Sequence, residues 1–192
     1  MPHEITVRAF LALLAAVGVL RLVEVWVSRR HQRRLVARGA SHVPSQHFGL
    51  MAFVHVAVLA GAAAEVVLLR RPFYVALAAP MFALFLAANL VRLWVIRTLG
   101  EHWSVQVMDS TPLGVVTNGP FRYIRHPNYA AVFVEMTALP LIHTAWITAI
   151  AGTLAHIWAL RKRLEAEEPV LLADPDYRAA MAGKPRFLPR IL

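Results

Sequence analysis

The chain has 192 residues, 58% of them hydrophobic and only 16% charged, with a formal net charge of +9 and a mean hydropathy of +0.54. A soluble domain carries about a quarter charged residues, so this is a membrane composition, and the positive charge is dispersed between apolar runs in a way that suits anionic headgroups and positive-inside topology better than nucleic acid. The absence of cysteine excludes disulfides, thiolate metal sites and a cysteine nucleophile.

Ile5 to Val27 is the first apolar run, long enough for the ~20 residues that cross a bilayer. No small-residue cleavage site lies near its end, so it reads as a retained span and not as a signal peptide. Arg21 and Glu24 are placed to pair or to snorkel. Arg29, Arg30, Arg33, Arg34 and Arg38 then mark a cytoplasmic loop. Phe48 to Leu69 is the second span and ends at the tight turn Arg70-Arg71-Pro72. Phe73 to Ile96 is the third, with Pro80 as a kink position and Asn89 and Arg92 near one another on the helix. These three spans make an N-terminal membrane part over 1–97.

From Tyr129 to Leu160 the chain is apolar for too long to be one ordinary span, and Pro140, His143 and Thr144 interrupt it. A helical hairpin over 129–142 and 144–160 fits better than a single tilted helix. Arg161-Lys162-Arg163 closes it, and an amphipathic tail begins at Leu164 with a break at Asp174-Pro175-Asp176. The expected fold is an all-α integral membrane protein of about five transmembrane helical segments. The last two form the hairpin, the N-terminus lies outside, and the C-terminal tail is cytoplasmic.

The stretch from Thr117 to Tyr129 is polar, aromatic and basic between apolar flanks. Asn118-Gly119-Pro120 is turn chemistry, and Arg125-His126 stands immediately before a helix that can begin near Pro127. A helix start beside Arg and His suits a carboxylate or phosphate, while a basic juxtamembrane loop that merely fixes topology is the competing reading. Arg163 and Glu167 share one helix face, with Glu168 one residue further round. They form either an exposed ion pair or, with Arg125 and His126 at the same membrane edge, one pocket. Glu65 and Glu135 lie within apolar runs, where an acid is functional or paired. Glu135 faces either that pocket or a partner such as Arg92. His55, His143 and His156 show no metal spacing and read as packed residues, so no metal is expected. Trp94, Trp103, Trp146 and Trp158 read as interfacial anchors.

Leu99-Gly100-Glu101-His102-Trp103, the run from Val116 to Tyr129 and Arg163-Leu164-Glu165-Ala166-Glu167-Glu168 together resemble the isoprenylcysteine carboxyl methyltransferase family. Tyr177 and Arg186-Phe187-Leu188-Pro189 resemble its C-terminal end. The resemblance runs from Leu99 to the C-terminus, a catalytic part over 98–192, and the first three spans match only in character. It implies an integral-membrane methyltransferase that uses S-adenosylmethionine without a Rossmann domain, in a pocket between the last helices and the tail. Carried over by motif, Gln106, Phe121 and Glu167 contact the cofactor, and Leu113, Gly114, Val115 and Val116 run along it. His126, Pro127, Asn128 and Tyr129 form the core cofactor motif, with Arg125 as a cationic donor beside them. Arg163 faces the substrate, Arg163 and Glu167 form the catalytic pair, and Glu135 is a further substrate-side residue.

The implied reaction is methyl transfer to a carboxylate or hydroxyl oxygen of a lipophilic acceptor such as a prenylcysteine. Two features point elsewhere within the family. Ala131 stands where the family commonly has Gly, and Asn128-Tyr129 followed by Glu135 and Pro140-Leu141 resembles bacterial relatives that methylate hydroxyls of long-chain alkylpyrones or alkylresorcinols. More distant readings are an NADPH-dependent membrane reductase of related fold and a non-catalytic membrane adaptor. The expected partners are the lipophilic acceptor and membrane lipids, in a bacterial inner membrane, with neither nucleic acid nor metal.

Overall fold

The computed structural model describes residues 3–43 and 48–188, so Pro189 of the C-terminal motif lies outside the described residues. Among these the chain forms α1 (His3–Ala37), α2 (Phe48–Leu68), α3 (Val75–Leu99), α4 (Pro127–Leu141), α5 (Trp146–Ala173) and the short α6 (Pro175–Met181). A two-residue antiparallel pair, β1 (Ser41–His42) with β2 (Met108–Asp109), ties the segment after α1 to the loop after α3. α1, α2 and α3 are long and apolar enough to cross a membrane. The 15 residues of α4 reach only about 22 Å, against about 30 Å of hydrocarbon. The five expected segments are therefore present as helices, and three of them have the length and composition of spans. Val19, Leu22, Phe53, Leu90, Ile150 and Leu154 point outward, as lipid contact requires.

Two boundaries differ from expectation. The basic run after Val27 is not a loop: α1 continues through it to Ala37, and its 35 residues span about 52 Å. Arg, Gln, Leu and Ala are good helix formers, and no Gly or Pro interrupts them before Gly39. The segment from Leu164 is likewise no separate tail, because α5 runs on through Pro169 to Ala173. It stops at Asp174, whose Oδ1 accepts the Tyr177 N–H (2.8 Å) and caps α6.

The buried acids found different partners. Glu65 accepts the Ile147 and Thr148 N–H groups (3.1 and 2.7 Å) and pairs with Arg71 (2.7 Å), so an acid of α2 serves the orphan donors at the start of α5. Glu24 binds Arg21 (2.5 Å) and Arg92 (2.6 Å), and Glu135 faces Arg21 (3.1 Å) and Arg92 (3.7 Å). Asn89 accepts a further bond from Arg21 (3.1 Å). This balanced cluster joins α1, α3 and α4 inside the membrane, where no solvent would satisfy a lone charge. Between α2, α4 and α5 the packing is apolar, with Val54, Val58, Val132, Met136 and Leu160 in one cluster. A Cβ on Gly152 would stand 2.5 Å from Val58 Cγ2, so α5 approaches α2 there only because that side chain is missing.

Candidate active site

The loop between α3 and α4 folds over the same ends of the helices at which α1 emerges and α5 continues. Its first wall hangs on α1. Ser28 Oγ accepts the Val105 N–H (2.9 Å), Gln32 Nε2 donates to Ser104 Oγ (3.0 Å), and His31 Nδ1–H donates to the Trp103 carbonyl (3.0 Å). Arg34 and Arg38 both bind Glu101 (2.8 and 3.1 Å). The opposite wall is a 3-10 turn over Gly119–Arg122, seated on α3. Gly119 is required there twice over: its φ is +55°, and a Cβ would meet Thr98 Oγ1 at 2.5 Å. His126 then precedes α4, whose first residue is Pro127, placed where a missing N–H costs nothing.

Beneath the loop lies a cavity of about 170 Å³. Its floor is a chain of polar contacts between α4 and α5. The Tyr129 hydroxyl donates to Glu167 Oε2 and accepts from Arg163 Nε (2.6 Å). Arg163 also donates from Nη1 to the Val105 carbonyl (2.8 Å), and its guanidinium lies 5.2 Å from the Tyr129 ring centroid. Glu167 thus receives Tyr129 directly and Arg163 at 3.5 Å.

The cover is α6 with the segment after it. Arg125 N–H and His126 N–H donate to the carbonyls of Pro185 and Arg186 (2.9 Å each), and Lys184 Nζ reaches the Phe121 carbonyl (2.8 Å). Glu168 is the hub of this closure. It accepts from Arg186 Nε (3.0 Å) and Nη2, takes the His126 Nε2 proton (3.1 Å), and faces Arg125 at 3.4 Å. Burial works to raise the Glu168 carboxyl, but the bonds from Arg186 and His126 prevail and hold it below its ordinary value. Burial holds the His126 imidazole below its usual value, against the pull of Glu167 and Glu168, while its Nε2 faces the Glu168 carboxylate. Burial likewise pushes the Tyr177 phenol up to about 12.

Of the residues expected at the site, Gln106, Gly114, Val115, Val116 and Phe121 line the cavity from the loop. Arg125, His126, Pro127, Asn128 and Tyr129 line it from the start of α4, and Arg163 and Glu167 from α5. Two expected residues lie elsewhere. Leu113 packs against Leu35, Ala40 and Met108, under the junction with α1. Glu135 sits in the ion cluster described above and does not line the cavity. Trp103, expected at the lipid interface, is only 3% exposed and forms part of the first wall, whereas Trp94, Trp146 and Trp158 do face outward. Glu168 was noted only as the acid one residue round from Glu167, and Met181 and the α1 groups that hold the first wall were not singled out. The two adjacent acids after Arg163 were the one available signal for Glu168.

Among the described residues, two buried groups on this rim lack any protein hydrogen bond: Asn128 Oδ1 and Arg125 Nε. An acceptor and a charged donor left open beside one cavity are what a zwitterionic ligand end would use.

Residues 81–173 match the model of the Isoprenylcysteine carboxyl methyltransferase (ICMT) family. The chain is also similar over most of its length to two bacterial proteins. The uncharacterized protein YpbQ of Bacillus subtilis is 27% identical over 165 residues, which are 84% of this chain and 96% of that protein. An uncharacterized protein of Haemophilus influenzae is 27% identical over 162 residues, 82% of this chain and 91% of its own. The matched family segment opens within α3, takes in the loop, the core motif and the polar floor, and closes at the end of α5. These residues, just under half of the chain, match the isoprenylcysteine carboxyl methyltransferase family, which points to a membrane methyltransferase.

Proposed function

We propose that the protein is an S-adenosylmethionine-dependent integral-membrane O-methyltransferase, acting on a carboxylate or hydroxyl oxygen of a lipophilic acceptor such as a prenylcysteine. The observation that carries this reading is the cavity at the start of α4, where open Arg125 and Asn128 atoms stand beside the Tyr129–Arg163–Glu167 chain. The residues fit the cofactor. Arg125 Nε is a free donor for a carboxylate, Asn128 Oδ1 a free acceptor for an ammonium, and the faces of Phe121 and Tyr129 suit a sulfonium. When bound, S-adenosylmethionine supplies an activated methyl group to be taken in an in-line displacement.

The chain's own contribution is orientation and dryness. Arg163 is held by Tyr129, by the Val105 carbonyl and by Glu167 at 3.5 Å, and its second terminal nitrogen makes no hydrogen bond among the described residues. That nitrogen is the donor that orients an acceptor carboxylate, which needs no base. A hydroxyl acceptor must lose a proton, and Glu167 and His126, which both line the cavity, are the candidate bases. The presence of both is the reason to keep an alkylpyrone or alkylresorcinol hydroxyl as the second reading. The cationic end of α1 supports placing this edge on the cytoplasmic side, with the N-terminus outside and the protein in a bacterial inner membrane.

The test is methyl transfer from labelled S-adenosylmethionine to a prenylcysteine and to an alkylresorcinol by purified protein. Arg163→Met should lower turnover about 10²–10³-fold, the cost of removing one charged donor at a reacting oxygen. Transfer to neither acceptor class, or an unimpaired Arg163→Met enzyme, would refute the assignment of this floor.

A further inference from the structure

The far half of α1 is divided by face. At about 100° per residue, Ser28, Gln32 and Leu35 fall on the inner side, where they are buried and the first two hold the pocket wall. Residues 19, 22, 23, 26, 29, 30 and 33 fall within about 60° of one another's mean on the opposite side. Along that outer stripe Val19, Leu22, Val23 and Trp26 are exposed by 60, 71, 50 and 58%. The next residues on it are Arg29, Arg30 and Arg33, all exposed. The stripe therefore changes from apolar to cationic within one turn, and a tryptophan stands at the change, the position such rings take at headgroup level.

The three guanidiniums are unclaimed. Glu101 takes Arg34 and Arg38, which lie further round toward the loop, at 2.8 and 3.1 Å. Among the described residues no carboxylate pairs with Arg29, Arg30 or Arg33, and Arg30 rests on the Trp26 ring with its Cζ 4.7 Å from the centroid. Arginine forks at this spacing suit phosphate oxygens. A free phosphate would meet only the cations, whereas a phospholipid also covers the apolar stripe directly below them. We propose that Trp26, Arg29, Arg30 and Arg33 form a binding site for the phosphate headgroup of an anionic phospholipid, its chains lying along Val19, Leu22 and Val23. This site is separate from the cavity and does not depend on the methyltransferase reading.

The test measures binding of fluorescent phosphatidylglycerol and of matched phosphatidylcholine to the full-length protein in neutral detergent micelles. The variant Arg29→Gln/Arg33→Gln is set beside Arg161→Gln/Lys162→Gln, which removes the same charge from α5; circular dichroism checks that both keep their helix content. Wild type should prefer phosphatidylglycerol, and the α1 variant should lose at least about tenfold in affinity while the α5 variant loses less than about threefold, as expected for roughly one unit of headgroup attraction per arginine. Equal binding of the two lipids, equal losses in the two variants, or displacement of the lipid by inorganic phosphate at matched concentration would each overturn the site.

Discussion

The protein contains two clusters of arginine and glutamate about two helical turns apart along α4, and they are built to opposite ends. In the interior cluster, Arg21 and Arg92 face Glu24 and Glu135, charges in balance, and every one meets an opposite charge. Arg21 Nε, Arg92 Nε and Glu135 Oε1 lack well-aligned hydrogen bonds, but each belongs to a group already in an ion pair, and the site cavity does not reach them. At the membrane edge, among the described residues, Arg125, Arg163 and Arg186 face Glu167 and Glu168, and Arg125, Arg163 and Glu167 line the cavity. The same residue types thus act in one place as a clasp between helices and in the other, on the proposed function, as a receptor with positive charge to spare. What separates them is whether the partners close upon one another or leave an edge open.

The comparison predicts that the interior cluster responds to mutation through stability and the edge cluster through binding. Glu135→Ala leaves two buried arginines with one counter-charge and should destabilise the fold by about 3–5 kcal/mol. Thermal unfolding in detergent would show it, and the protein that remains folded should bind cofactor within about twofold of wild type, a factor worth well under 1 kcal/mol. A Glu135 variant with intact stability and lost binding would erase the distinction.

Glu168→Gln is the intermediate case, because Glu168 lies at the edge but holds structure as well. It should weaken cofactor binding about tenfold, near 1.4 kcal/mol, by loosening Arg186 and the segment it fastens. It also carries a pH signature. The folded carboxyl titrates below its ordinary 4.5, so its stabilisation is complete above that value and fades as pH falls through the lower folded value. Unfolding measured from about pH 5 to about pH 3 should therefore steepen in wild type more than in Glu168→Gln; parallel curves would remove Glu168 as the latch. The smallest effect belongs to Glu101→Gln, which breaks two exposed ion pairs on the outside of the wall. It should cost less than about 1 kcal/mol, and less still at high salt.

Much of the edge site was legible because its residues contradict their surroundings. A run such as Arg125-His126-Pro127-Asn128-Tyr129 between apolar segments has no packing reason to be there, and Arg163 and Glu167 share a face by spacing alone. The interior cluster was half legible: Arg21 with Glu24 follows from helix geometry, but the contact of Arg21 with Glu135 spans 114 positions and is decided by how α1 leans on α4. The two misplaced boundaries have one cause, in that charge marks the side of the membrane without saying whether the helix stops. Trp103 was misplaced, and the Leu113 side chain turned from the cavity, because the loop folds inward onto α1, driven by Ser28, Gln32 and Leu35, which look unremarkable in a basic stretch.

The most direct test is calorimetric titration of S-adenosylmethionine into detergent-purified protein, for wild type, His126→Ala, Glu167→Ala and Glu135→Gln. Saturable binding, in the micromolar range common to enzyme substrates, is expected for wild type and Glu135→Gln, and none for the two edge variants while they remain folded. Absence of binding to folded wild type, or binding that survives both edge substitutions, would contradict the claim that this cavity is the cofactor site.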